Sequence, residues 1–371
     1  MRKKGSIIII LLLLMLISVS IYFYLNQHKA FEQIFKFNED YVKTQAGDVT
    51  IYNPQEVLFD SEEVLEQLVP TRQLAHDLFK LDFSSHNTLP IFVTVAGYKG
   101  HEKMEARTGL YLNEMGTILI NGDNEQFASY TTVHEYSHFL FDLYLKEHKI
   151  SIQEIPAWFT EGIAEYFAFQ VQQALPVFYT YYYDSFPFEK LHDVNTIYLQ
   201  GFYAIYDLIE TYGDDIITNI ILAYKGSGDF ATALEEVTDE EYMAYHDKFR
   251  INKNKINMLE DNNLEPQKVI TMGEQLLANQ SSINPYSPFV LPHLITAAIE
   301  VNEVSLAKTY FETLEQLLFN PDDYLYYALQ FAEAGEKSFA DELIKRGRYF
   351  VEAYYYDLDL YEVEAKKIIT S

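Results

Sequence analysis

Apolar positions fall into three regimes along the 371 residues. The first is a nearly unbroken apolar run from Ser6 to Leu25, preceded by Arg2, Lys3 and Lys4. In the second, about 46–252, short β-branched and aromatic runs give way to helical periodicity. From about residue 253 onward the helical period holds throughout. Within the middle region, Val49-Thr50-Ile51-Tyr52 predicts a strand ended by Asn53-Pro54. Asp60 and Glu63 have the spacing of a capping box, opening an amphipathic helix that runs to about Lys80, with Pro70 expected to kink it. The run from Leu89 to Ala96 predicts a strand stopped by Gly97, and 109–113 and 117–121 predict two more, joined around Met115-Gly116. Helices are predicted at about 127–147, 157–173, 198–212 and 214–225. A small sheet followed by helices is α+β logic, not a doubly wound fold.

The first run has 20 residues, which at about 1.5 Å each cover about 30 Å, the thickness of a bilayer core. Basic residues ahead of it stay cytoplasmic, so residues 1–25 read as a single-pass membrane helix with the rest of the chain outside the cytoplasm. The rival is a cleaved signal peptide, since Ser18-Val19-Ser20 is a small-x-small triplet and would leave a secreted protein. Continuation of the apolar stretch through Ile21, Tyr22 and Phe23 favours the anchor. Residues 26–45 are polar and read as a helical stalk.

The C-terminal region, 253–371, carries a weak internal repeat. Asn302-Glu303-Val304-Ser305-Leu306-Ala307 matches Gly335-Glu336-Lys337-Ser338-Phe339-Ala340 at an offset of 33. That offset is near the 34-residue period of tetratricopeptide hairpins, which about 70 residues here resemble; a plain helical bundle is the alternative.

Charge and cysteine content narrow the function. Lysine plus arginine is 27 against 55 acidic residues, a net −28, and no basic patch follows the first four residues. Such a surface repels phosphate backbones, so no nucleic-acid partner is expected. Cysteine is absent, which excludes disulfides, thiolate catalysis and Cys-ligated zinc.

The chemistry lies in His134-Glu135-Tyr136-Ser137-His138, an HExxH sequence. On a helix, residues four apart share a face, so both imidazoles can converge on one ion while Glu135, turned by about 100°, flanks it. Neutral imidazoles suit Zn²⁺, and a catalytic zinc takes three protein ligands and leaves a fourth position for water. Zinc lowers the pKa of that water; an adjacent carboxylate removes its proton and passes it to the leaving amine. With 10 histidines and 55 acidic residues, accidental HExxH matches number at most about 0.04 per chain of this length. Downstream stands Pro156-Ala157-Trp158-Phe159-Thr160-Glu161-Gly162-Ile163-Ala164-Glu165-Tyr166. Glu161, 23 positions after His138, can fold back as the oxygen ligand. Glu165, one turn on, can accept the Nδ1–H of His134 from outside the ligand set. Gly162 and Ala164 make this helix slim, suited to close packing against the histidine helix.

Together these segments resemble the gluzincin metallopeptidases, and are most similar to the peptidase-MA-like branch related to M1-type aminopeptidases and thermolysin. The resemblance covers about residues 45–250. It implies one zinc ion held by His134, His138 and Glu161, Glu135 as general base and acid, and a thermolysin-like domain whose sheet edge aligns a peptide or protein substrate. It also implies a tyrosine donor to the oxyanion. Tyr198, in Tyr198-Leu199-Gln200-Gly201, is the candidate, with Tyr203 in reserve. The spacer between His138 and Glu161 exceeds that of typical aminopeptidases, so Lys146 to Glu154 are expected to loop out. No GxMEN segment precedes HExxH, which argues for an endopeptidase. His101, Glu102 and His192 are read as surface residues. The competing reading is an inactive, peptidase-like scaffold that recruits a protein partner through the helical C-terminal domain and its acidic, aromatic segment Tyr354-Tyr355-Tyr356-Asp357.

Overall fold

The computed structural model describes residues 41–55, 59–82, 89–95, 107–123, 128–172, 194–249, 253–259, 263–278, 286–315, 321–353 and 358–370, together with Val57, Met104 and Asn284. The fold is mixed α+β and mostly helical, with a small mixed sheet and a helical C-terminal region. The predicted membrane segment lies outside the described residues, as do His101, Glu102, His192 and Tyr354–Asp357. Among the described residues no helix is long and apolar enough to cross a membrane. The chain divides into two compact units: the described residues of Met1–Leu65 with His86–Ala128, and those of Glu66–Ser85 with Ser129–Ser371.

In the first unit, β1 (Tyr41–Ala46), β2 (Val49–Pro54), β3 (Leu89–Thr94), β4 (Gly109–Leu112) and β5 (Thr117–Asn121) form one sheet in the order β1-β2-β3-β5-β4. The two inner pairings, β2 with β3 and β3 with β5, are parallel, and both edge pairings are antiparallel. Ile51, Ile91 and Ile118 stand in register across the three inner strands, and none has exposed surface. Parallel strands are buried on both faces, which is why these three read as apolar runs rather than alternations. The expectation of a helical stalk through residue 45 is corrected here, because residues 41–46 form β1. The β-branched Val42 and Thr44 suit an extended chain, and Gly47, at φ +59°, lets it turn straight into β2.

In the second unit the helices carry the architecture. Helix α1 (Ser61–Phe79) begins in the first unit and continues into the second. The Asp60 carboxylate caps it, accepting from the backbone N–H groups of Glu62 and Glu63 at 3.1 and 2.9 Å. The helix runs on through Pro70; in the turn where proline has no N–H to give, the Thr71 hydroxyl donates to the Gln67 carbonyl at 2.7 Å. Helices α2 (Ala128–Glu147) and α3 (Ala157–Gln172) follow. Between them the chain does not simply loop out: Lys149 takes a left-handed conformation, and Ile152–Glu154 form a 3₁₀ turn before α3. Phe79, Phe141 and Phe167 tie α1, α2 and α3 together, with ring centroids 5.5 and 5.8 Å from Phe79.

Helices α4 (Val194–Tyr212), α5 (Ile216–Ser227), α6 (Phe230–Thr238) and α7 (Tyr242–Lys248) complete the middle region. Helix α4 crosses α3 backbone against backbone. A Cβ on Gly162 would lie 2.3 Å from the Gly201 carbonyl oxygen, and one on Gly201 would lie 2.3 Å from that of Trp158. The slim face at Gly162 therefore receives α4 rather than the histidine helix, because Glu161 and Glu165 occupy the face turned toward α2.

Beyond α8 (Lys253–Asn257) come α9 (Pro266–Leu277), α10 (Ser287–Glu300), α11 (Val304–Glu315), α12 (Pro321–Glu333), α13 (Lys337–Ala353) and α14 (Leu358–Thr370). The sequence repeat marks the turns α10–α11 and α12–α13. Asn302 and Gly335, 33 positions apart, both have positive φ, at 60° and 87°. The next N–H in each turn, of Glu303 or Glu336, closes on the carbonyl five residues back, Ala298 or Phe331, at 2.8 Å in both.

Replacing Gly162 with alanine is expected to destabilise the protein by roughly 1–3 kcal/mol or more, since the methyl group meets backbone rather than a yielding side chain. Gly226→Ala is the control: it lies in α5 with nothing near its Cβ, and should gain about 0.5–1 kcal/mol. Denaturant unfolding of the two variants beside the parent checks both signs.

Candidate metal centre

Tyr130, His134 and His138 recur every four residues on α2, so they form one stripe along it. Glu161 and Glu165 form a matching pair on α3. The two stripes pass in opposite directions, Tyr130 meeting Glu165 and His138 meeting Glu161. His134 stands between the two carboxylates. Its Nε2 is 3.2 Å from Glu161 Oε2, and its Nδ1 is 2.9 Å from Glu165 Oε1, close but off the linear hydrogen-bond direction. His138 Nε2 lies 3.1 Å from the same Glu161 oxygen and 3.2 Å from His134 Nε2.

Three potential ligand atoms therefore form a near-equilateral triangle. A tetrahedral ion about 2.0–2.1 Å from each of its donors separates them by roughly 3.3–3.4 Å, close to the observed spacing. Two imidazoles and a carboxylate are also the donor types that zinc accepts in hydrolytic sites. His134, His138 and Glu161 are thus a group able to hold a metal ion. The surroundings are nearly dry: His134, Glu135 and His138 are 7–8% exposed and Glu165 is 3% exposed. Glu161 keeps 24% of its side chain in solvent, which leaves the cluster open on that side.

Without an ion the cluster is strongly polarised. Burial disfavours a charge on His134, but Glu165, Glu161 and Glu135 outweigh it and hold the ring well above the ordinary imidazole value. Burial likewise opposes the charge on Glu161, and His138 and His134 overcome it, keeping that carboxyl far below the usual range.

The two tyrosine candidates separate cleanly. The ring of Tyr198, at the start of α4, lies edge-on to His134 with centroids 5.6 Å apart. Tyr203 is 1% exposed, its hydroxyl has no hydrogen-bond partner among the described residues, and burial pushes its pKa up. The structure therefore puts Tyr198 beside the cluster and Tyr203 in the core. Sequence reasoning missed Tyr130, whose hydroxyl donates to Glu165 Oε2, although its spacing of four before His134 was there to be read. It also missed Arg72, which donates to the hydroxyl of buried Tyr136 at 2.6 and 3.0 Å, on the side of α2 away from the histidines.

No family model matches the chain. It is 27% identical over 219 residues to the uncharacterized protein YhcO of Bacillus subtilis (strain 168), an alignment taking in 51% of this chain and 64% of that protein. The chain thus spans less than two thirds of that relative's length.

A divalent cation bound here competes with the proton that Glu165, Glu161 and Glu135 favour on His134. Zinc affinity, measured by chelator competition, is therefore expected to rise with pH and to be still rising above the ordinary imidazole range. His138→Ala should weaken binding by more than about 100-fold, since loss of a mere outer partner costs 10–100-fold.

Proposed function

We propose that the protein is a zinc-dependent peptide hydrolase of the gluzincin kind, an endopeptidase held at the membrane by residues 6–25 with its catalytic region outside the cytoplasm. The observation that carries this reading is the convergence of His134 Nε2, His138 Nε2 and Glu161 Oε2 at 3.1–3.2 Å, from two helices, with Tyr198 edge-on to the His134 ring and Glu135 close enough to raise the pKa of that ring. The resemblance of HEYSH and PAWFTEGIAEY to the peptidase-MA-like branch supports it, as does the mixed α+β architecture.

In this reading His134, His138 and Glu161 hold the ion, which supplies Lewis acidity when bound. Glu135, one position along α2 from the first ligand, takes the proton of the attacking water and delivers it to the departing amine. The water oxygen ends in the new carboxylate, and one peptide bond is exchanged for an acid and an amine. Tyr198, from α4, donates its phenolic proton in a hydrogen bond to the scissile carbonyl oxygen as negative charge develops there. Glu165 holds His134 in the tautomer that turns Nε2 toward the ion. The acidic surface selects against acidic peptides at long range, an effect that salt screens within about 10 Å. The C-terminal helices form the platform on which a protein partner or substrate docks.

Zinc content and hydrolysis of a peptide library by the detergent-solubilised chain test the proposal. Glu135→Gln should keep stoichiometric zinc and lose at least 10²–10⁴-fold in turnover. Tyr198→Phe should keep zinc and lose on the order of 10–10³-fold, in kcat rather than KM. Stoichiometric zinc with no cleavage of any peptide would instead favour the scaffold reading.

A further inference from the structure

Tyr130 has no part in the HExxH pattern, yet it is 6% exposed and its hydroxyl is committed to Glu165 rather than to water. Glu165 is itself 3% exposed, and among the described residues the polar neighbours of its two oxygens are Tyr130 at Oε2 and His134 at Oε1. A carboxylate removed from water is tolerable only where its oxygens find donors, and one with a single donor can swing about its terminal bond. Tyr130 and His134 lie one turn apart on α2, so the two groups that grip Glu165 come from one rigid element.

We propose that Tyr130 is a positioning residue, pinning the far oxygen of Glu165 so that the near oxygen stays on His134 Nδ1 and the Nε2 of that ring stays aimed into the cluster. The inference rests on the metal reading above and extends it by one step, giving a Tyr130–Glu165–His134 chain that ends at the ion. In this role Tyr130 is not one of the residues that would hold the ion; it acts through Glu165. Phenylalanine at 130 retains the buried ring and deletes the one hydroxyl, so the change isolates orientation from packing.

The test is a double-mutant cycle on the full-length chain with Tyr130→Phe, Glu165→Gln and the pair, read in two ways. Zinc dissociation constants come from chelator competition, and the exchange protection of the His134 Nδ1–H proton comes from NMR of both metal-free and zinc-loaded protein. Tyr130→Phe is expected to weaken zinc about 3–10-fold and Glu165→Gln about 10–100-fold, the double variant being no weaker than Glu165→Gln. Nδ1–H exchange should speed up in Tyr130→Phe with and without zinc. A parent-like zinc constant together with parent-like protection in Tyr130→Phe would overturn the proposal. So would the same fold-loss on removing the hydroxyl in the Glu165→Gln background, which would make Tyr130 independent of Glu165. If the parent bound no zinc, the metal reading would fall, while proton exchange in the metal-free variants would still decide whether Tyr130 acts on His134 through Glu165.

Discussion

Two polar stripes facing each other inside an apolar helical unit are the constraint around which the rest is arranged. Glu165, Glu161, His134 and His138 bring carboxylates and imidazoles into a space from which water is largely excluded. Any one of them alone would be costly there, and paired charges in a dry site are only as good as their geometry. Each is acceptable because the opposite helix supplies its partner at 2.9–3.2 Å. A small slide of α3 along α2 would leave several buried charges unmatched at once, so the register of the two helices and the integrity of the cluster are the same property.

The packing around the stripes keeps that register. Phe79, Phe141, Tyr144 and Phe167 bind α1, α2 and α3 on one side, and Phe159 meets Phe141 at 6.2 Å and Phe230 at 4.9 Å. On another side the Gly162–Gly201 crossing brings α4 as near to α3 as backbones allow. Glu161 precedes Gly162 by one residue and Tyr198 precedes Gly201 by three, so this one contact relates a carboxylate of the cluster on α3 to a tyrosine on α4. Large aromatic groups fill volume while glycines set distance, and the site needs both.

Much of this was legible in the chain because its chemistry repeats with the helical period. The spacing of four in His134–His138 and in Glu161–Glu165 states which side chains share a face, and the β-branched runs at 49–52, 89–94 and 117–121 state where strands lie. What was hidden was partnership. Gly162 announces that something approaches closely but not which helix; α4 took the place expected of α2. Strand β1 was masked by the polar character of Lys43, Thr44 and Gln45, which suits an exposed edge as well as a stalk. Tyr130 sat among 31 tyrosines, and its spacing of four before His134 gains a meaning only from the carboxylate opposite.

The shared turn at Asn302 and Gly335 has a consequence of its own. Both corners place a left-handed residue at the same position and close the same hydrogen bonds, so α10–α11 and α12–α13 reverse the chain in the same way. The 33-residue offset in the sequence is therefore an offset in backbone geometry as well. A residue other than glycine, asparagine or aspartate at either corner would have to bear the strain of a left-handed backbone, so the two hairpins share one point of weakness.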